Sequence, residues 1–345
     1  MKTAFTERPA IALLEILANK GVYRVGYRPF LDVKKASASK FQHVAVEMLV
    51  NEYNMVYDYT FTGNVVAEES YKGFKFRLLT PEGNVRADAS ISYKSQPYKV
   101  SVSWKEVSDL LPTPPFPLFV VDMGIAAIQS YEDSVTLRVQ IEESLQKIRE
   151  YLWDPHLAVT SSDKTMAEWL YNVAGKNKAI VTQSRPSELL WSTDADKVII
   201  IRQDAPHPLT PNDILTSEAF LIGFQEKIPR PGLGKILDNL VPWGLPRRVE
   251  LAGSTAGVPY RVNKIIEMIL KARYAYEGNV EKAILSSMTK KDVLSRLYFE
   301  ITRRAQRDHR GEYVTWDSYY EISKWLNVSR DEFLKVAEKA KIEVR

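Results

Sequence analysis

The stretch from Phe220 to Leu270 holds the residues whose types and spacing best fit chemistry on a nucleotide-like ligand. Phe220-Leu-Ile-Gly223 reads as a parallel strand ending in glycine, and a glycine there lets a ligand lie against the backbone where such a strand ends. Leu251-Ala-Gly-Ser-Thr-Ala-Gly-Val-Pro259 reads as a strand end followed by a small-residue loop, with free N–H groups able to wrap an adenine or a carboxylate. A helix is expected to start at Pro259, a residue suited to the first helical position, with Val262, Ile265, Ile266 and Ile269 as one apolar stripe. Asn263 and Lys264 flank that stripe, where an amide can hydrogen-bond a cofactor or brace the loop, although capping or solvation is the ordinary role of such residues. A Gly-Ser-Thr-Ala-Gly loop alone is a common turn. The order of the three features is what gives them weight.

Elements that must position these residues follow from the pattern of apolar runs. Short runs at Leu118 to Asp122, Leu157 to Thr160, Ala179 to Val181, Val198 to Ile201, Phe220 to Ile222 and Arg248 to Leu251 read as strands. Helical patterns at Asp133 to Leu152 and Lys164 to Val173 fall between them. Strands alternating with helices imply an α/β domain on a parallel sheet covered on both faces. Upstream, helices at the Ile11, Leu14, Ile16, Leu17 run and at Phe41 to Asn51 precede alternating strands at Tyr71 to Leu79 and Ala89 to Trp104, joined by turns at Pro81 to Asn84. The run Leu111-Pro-Thr-Pro-Pro-Phe-Pro117 can continue neither a helix nor a central strand, because proline fixes φ and lacks a donor, so a boundary is placed there. Asn279 to Arg345 is helical throughout by pattern, with Asp292, Asp317 and Ser329 as helix starts. The chain thus divides into an N-terminal α+β domain over 1–112, an α/β domain over 113–280 and a C-terminal helical domain over 281–345.

Composition removes several chemistries. The 345 residues include no cysteine, which excludes disulfides, thiolate nucleophiles and Cys-ligated metals, and the four histidines make a His-rich metal site a poor expectation. No window approaches the roughly 18 apolar residues of a membrane span, and the start of the chain shows no signal-peptide pattern, so a cytoplasmic location is expected. Lys and Arg number 47 against 43 Asp and Glu, too even a balance to argue for nucleic acid by itself. Its distribution is uneven: Lys227 to Arg273 carries nine Lys or Arg against Asp238, Glu250 and Glu267, where a polyanion would be held. Missing cysteines and abundant Glu, Lys and Arg also fit a hot environment.

Phe220-Leu-Ile-Gly223, Pro246-Arg-Arg-Val-Glu-Leu251, Gly253 to Pro259 and Val262 to Leu270, in that order, resemble the archaeal tRNA position-nine N1-methyltransferases of the SPOUT class. The resemblance extends to Phe119-Val-Val-Asp-Met-Gly124, Leu145 to Trp153, Val198-Ile-Ile-Ile201 with Asp204, and Ala283-Ile-Leu. Together these blocks span Pro117 to Leu297, with weaker similarity in the first fifty residues. It implies a parallel sheet with a C-terminal trefoil knot, one of the rare exceptions to unknotted chains. S-adenosylmethionine would then lie among the loops after Ile201, around Ile222, Gly223 and Phe224, and over Ala252, Gly253, Ser254, Gly257, Val258 and Pro259, with Asn263 nearby. A monomer that grips tRNA with its outer domains is also implied, with no membrane or metal involved.

One block departs from the family. Where its members read Ile-Gly-Gly-Ile-Val-Asp, this chain reads Ile222-Gly-Phe-Gln-Glu-Lys227, so the aspartate usually taken as general base is replaced by Lys227, or by Glu226 after a one-residue shift. N1 of guanine carries a proton that a base must accept, whereas N1 of adenine already presents a lone pair and needs mainly positioning. The departure favours adenine, and the alternative is a tRNA-binding protein on a degenerate fold. Glu226 and Asp204 are the acids available as a base.

For the RNA, the resemblance and the local charge point to a rim of Lys235, Arg247, Arg248, Arg261 and Lys264, since phosphate contacts position a substrate without reading its sequence. A second cluster, Arg303, Arg304, Arg307 and Arg310, lies on the last segment, and Lys34 and Lys35 offer a third contact. Position nine must leave the tRNA core before methyl transfer, and Phe224, Trp243 or Tyr260 is placed to receive the flipped base.

Overall fold

A computed structural model describes residues 6–28, 39–92, 99–123, 131–160, 165–223 and 233–345. Lys34, Lys35, Phe224 and Glu226 therefore lie outside the described residues. By internal contacts the chain divides into two compact units, Met1–Asp194 with Glu218–Phe224, and Ala195–Ser217 with Gln225–Arg345.

The first unit opens with α1 (Pro9–Lys20), β1 (Arg24–Gly26), α2 (Lys40–Asn51), β2 (Asn54–Tyr57), β3 (Thr62–Tyr71), β4 (Phe74–Pro81), β5 (Val85–Arg86), β6 (Ala89–Ser92), β7 (Val100–Val102) and α3 (Trp104–Asp109). Its sheet has the order β5-β3-β4-β1-β6-β2-β7. The strand β1 runs parallel to both its neighbours and the remaining pairs are antiparallel. Leu13, Leu17, Phe41, Met48, Met55 and Phe76 fill the core between sheet and helices. Here the sequence expectation needs correction: Ala89 to Trp104 is two strands rather than one, and Trp104 is the first residue of α3, which Ser103 and Glu106 start with a reciprocal capping box.

The unit continues with β8 (Leu118–Asp122), α4 (Tyr131–Arg149), β9 (Leu157–Thr160), α5 (Met166–Ala174), β10 (Ile180–Val181) and α6 (Pro186–Leu189). Beyond them along the chain come β11 (Val198–Ile201), α7 (Pro211–Thr216) and β12 (Ala219–Gly223). Within the first unit β10, β9, β8 and β12 lie side by side, all parallel, with Gly223 opposite Asp122 and the rings of Phe119 and Phe220 stacked at 5.5 Å. Every residue of β8, β9 and β12 is buried, as strands covered on both faces require. The buried Gln42 joins the two parts of this unit by accepting the Ala10 N–H and donating to the carbonyls of Arg149 and Leu152.

In the second unit β11 pairs in parallel with β13 (Leu245–Arg247), which follows α8 (Leu233–Leu240). After them come α9 (Val262–Tyr274), α10 (Val280–Ser287), α11 (Lys290–Arg304), β14 (Gln306–Asp308), β15 (Gly311–Val314), α12 (Trp316–Ser323), α13 (Arg330–Ala340) and β16 (Glu343–Val344). Four expectations fail here. The strand falls on 245–247 rather than Arg248 to Leu251, which form only isolated bridges to Pro208 and Ser254. The helix begins at Val262, with Arg261 at the N-cap position, so Pro259 precedes it instead of opening it. The last segment is not wholly helical: β14 and β15 form an antiparallel hairpin, and β16 adds to it in parallel. Asp292 is the third residue of its helix, bonded back to the cap Thr289, while Ser329 is a cap as expected.

Candidate functional site

The end of β11 leads into Arg202, whose N–H donates to the Arg247 carbonyl and so prolongs the parallel pairing by one residue. The buried Arg202 guanidinium gathers two carboxylates: Asp204 at 2.9 Å and Asp238, from α8, at 3.2 Å. Partial burial pushes the Asp238 carboxyl above its ordinary range and the charge of Asp204 adds to this, against the opposing pull of Arg202 and Lys235. A carboxylate pair sharing one arginine can hold or accept a proton. Asp204 is a candidate from the sequence whereas Asp238 is there only one acid in a basic stretch, because nothing in local spacing shows that the two share a guanidinium.

The next residues are fastened by Arg248. Its side chain donates to the carbonyls of Ala205 and Pro206 at 3.0 and 2.6 Å and pairs with Glu250 at 2.8 Å. Its own N–H donates to the His207 carbonyl, and its carbonyl accepts from Leu209. Arg247 pairs with Asp213 at 2.9 Å, and the same Asp213 oxygen accepts the Thr210 N–H in the capping box that starts α7. Arg247 and Arg248, two of the three arginines expected on an RNA rim, are thus engaged by protein groups. Lys264 likewise pairs with Glu267 and donates to the Ser287 carbonyl, joining α9 to the end of α10.

The loop from Leu251 to Pro259 is less open than its small residues imply. Leu251 and Ser254 exchange backbone hydrogen bonds around a tight turn in which Ala252 and Gly253 both take positive φ, 47° and 72°. The N–H groups of Ala252, Ser254, Ala256 and Val258 donate to the Glu281 carboxylate, the Leu251 carbonyl, the Ser254 hydroxyl and the Thr255 carbonyl. These four are therefore occupied, contrary to the expectation of free donors. Ala252 and Gly253 are exposed, Val258 is buried, and Asn263 is buried on the first turn of α9. The carbonyls of Leu251, Ser254 and Ala256 accept hydrogen bonds from Arg296 of α11, a residue that no sequence motif marked. In the first unit, Ile222 and Gly223 are buried at the end of β12.

Of the remaining candidates, Lys235, Arg261, Arg307 and Arg310 are exposed. Arg303 and Arg304 both reach the buried Glu300 on the preceding turn. Tyr260 is buried with its hydroxyl donating to the Val249 carbonyl, which withholds it from a flipped base, and Trp243 is half-buried. Among the described residues no helix is long and apolar enough to cross a membrane.

No protein-family model matches the chain. It is 26% identical over 265 residues to a tRNA (adenine(9)-N1)-methyltransferase of Sulfolobus acidocaldarius, covering 75% of this chain and 80% of that protein. It is 24% identical over 334 residues to a tRNA (guanine(9)-/adenine(9)-N1)-methyltransferase of Thermococcus kodakarensis, covering 93% and 85%. Among solved structures, Sulfolobus acidocaldarius Trm10 in complex with S-adenosylhomocysteine superposes with a TM-score of 0.70 at 20% identity, over 97% of this chain and 99% of that one. A dual-specific Trm10 from Thermococcus kodakaraensis superposes at 0.55 and 18% identity, over 77% and 96%. The structural likeness establishes a shared fold. In sequence and in fold the chain is a relative of the archaeal SPOUT-class tRNA position-nine N1-methyltransferases.

Proposed function

We propose that the protein transfers a methyl group from S-adenosylmethionine to N1 of the purine at position nine of tRNA, adenine in preference to guanine. The observation that carries this reading is the relationship to two position-nine methyltransferases over three quarters or more of the chain. The ordered blocks from Pro117 to Leu297 support it.

The loop of the second unit suits such a cofactor. Among the described residues, no heavy atom beyond its chain neighbours lies within 4 Å of where a Cβ on Gly253 would stand, so the turn presents an open backbone edge, suited to a group read through main-chain contacts. Ala252, Gly253, Ser254, Gly257, Val258, Pro259 and Asn263 are assigned to it here. The resemblance adds Ile222, Gly223 and Phe224, together with the trefoil knot. When bound, S-adenosylmethionine supplies an electrophilic methyl group.

The chain's own residues do the rest. Arg248 and Arg296 fix the loops that follow β11 and β13, so that orientation is set before substrate arrives. Asp204 and Asp238 are the proton acceptors in reach of Arg202, and only guanine would need one. With the aspartate of the usual loop replaced in Ile222-Gly-Phe-Gln-Glu-Lys227, adenine, whose N1 is already unprotonated, is the target this chain suits best. Exposed Lys235, Arg261, Arg307 and Arg310 are the phosphate contacts, with Lys34 and Lys35 assigned from the resemblance. The protein acts in the cytoplasm as a monomer, its segments 1–112 and 281–345 holding RNA.

The test is incubation of the full chain with S-adenosylmethionine and tRNA transcripts carrying A or G at position nine, followed by mass spectrometry of the nucleosides. 1-Methyladenosine from the A-containing transcript is expected. Methylation confined to the G-containing transcript would refute the preference, and tRNA binding with no methyl transfer would leave a non-catalytic RNA-binding protein.

A further inference from the structure

One face of α11 is apolar, with Leu297 and Ile301 packed into the core of the last segment. Beside it sit Arg296 and Glu300, one turn apart, 2.6 Å from each other and both fully buried. Removing such a pair from water is unfavourable unless further hydrogen bonds satisfy it. The loop supplies those bonds to both terminal nitrogens of Arg296: one donates to the carbonyls of Ala256 and Ser254 at 2.7 and 3.2 Å, the other to Leu251 at 2.5 Å, while Nε has no hydrogen-bond partner among the described residues. The rings of Phe299 and Trp325, each 5.4 Å from the guanidinium carbon, restrict its remaining freedom.

The backbones also meet. Gly257 has a φ of 71°, and a Cβ there would lie 2.9 Å from the Cα of Arg296. Glycine is needed at 257 both for its conformation and for this close approach. Hydrophobic packing alone would have joined helix to loop. A planar fork fixed on three carbonyls of a single turn sets orientation as well, because those bonds are directional and lysine cannot reproduce them.

We infer, on the reading of 251–259 as the cofactor loop, that Arg296 is a positioning residue for S-adenosylmethionine, acting from the C-terminal segment through the Leu251, Ser254 and Ala256 carbonyls. It touches no substrate. Its removal frees the turn to adopt other conformations, so cofactor affinity falls while RNA affinity stays.

The full chain, Arg296→Lys, Arg296→Gln, Gly257→Ala and Arg330→Ala are compared by calorimetry with S-adenosylhomocysteine and by steady-state kinetics in both substrates. Arg330 stacks on Trp316, Tyr319 and Tyr320 in the same segment and serves as the control. For Arg296→Lys, Arg296→Gln and Gly257→Ala, the Kd for S-adenosylhomocysteine and the KM for S-adenosylmethionine should rise about tenfold or more. The KM for tRNA should stay within about twofold, with Arg330→Ala unchanged in all three. Because Gly257 is itself a residue of the cofactor loop, Arg296→Gln, which leaves the loop sequence intact, decides the matter if Arg296→Lys does not fold. Equal cofactor affinity in wild type and variants overturns the positioning role, as does an equal loss in Arg330→Ala. Failure of the wild-type chain to bind S-adenosylhomocysteine overturns the functional reading and this role with it.

Discussion

Asp238 reaches the Arg202 guanidinium at 3.2 Å, yet its carboxyl sits above the ordinary carboxylate range, because burial and the neighbouring charge of Asp204 outweigh the attraction. A carboxyl raised in the folded state favours folding below its unfolded value, and that contribution is lost as pH rises through the folded value. Asp238→Asn should therefore melt at a higher temperature relative to wild type near neutral pH than at about pH 2, well below the unfolded value, where both side chains are uncharged. Melting curves across that range check it, and a constant difference at all pH values would contradict it.

The same pair tests the chemistry. If adenine needs no base, Asp204→Asn and Asp238→Asn should each lower methylation of an A-containing transcript by less than about tenfold. Any methylation of a G-containing transcript should fall by about a hundredfold or more. Single-turnover rates on the two transcripts measure this, and equal losses on both would argue that the acids serve orientation only.

Arg248 bonds the carbonyls of Ala205 and Pro206 and pairs with Glu250, so Arg248→Ala should cost about 2 kcal/mol of stability, typical of a charged hydrogen-bonding group removed from its partners. Its effect on tRNA affinity should be small. Arg261→Ala and Arg307→Ala, both at exposed positions, should show the reverse: unchanged melting, weaker tRNA binding and a salt-dependence slope reduced by about one each. Denaturant melts and filter binding at several salt concentrations separate the two classes.

In the N-terminal segment, Asp88 accepts the N–H groups of Tyr23 and Arg24 and pairs with the Arg24 guanidinium at 2.6 Å. Burial opposes ionisation there, but these donors prevail and hold the carboxyl below its usual range. Its stabilising contribution is present above the unfolded value of about 3.9 and is lost as pH falls through the folded one. Asp88→Asn should thus destabilise at neutral pH and lose that deficit at about pH 2, as acid titration of both proteins would show.

Much of this was legible in the sequence. Leu118 to Asp122, Leu157 to Thr160 and Val198 to Ile201 form strands at the bounds their apolar runs give, because strands buried on both faces need uninterrupted apolar residues. The strands Arg24–Gly26, Asn54–Tyr57 and Thr62–Tyr71 were not legible, since polar residues interrupt their patterns and pairing with distant strands decides their state. In the candidate site, Gly253 and Gly257 take positive φ, as a tight loop at that place in the sequence requires. Neither Asp238 nor Arg296 could be found that way, because Asp238 meets Arg202, and Arg296 meets the loop carbonyls, across 36 or more residues.

Arg296 and Glu281 both lie downstream of the turn they hold. During synthesis the turn leaves the ribosome well before either partner, with its carbonyls still facing water. The fastening of the turn therefore arrives late in the life of the nascent chain, after α11 has emerged, and a polypeptide cut short before α10 would carry every residue of the turn without the two side chains that hold it.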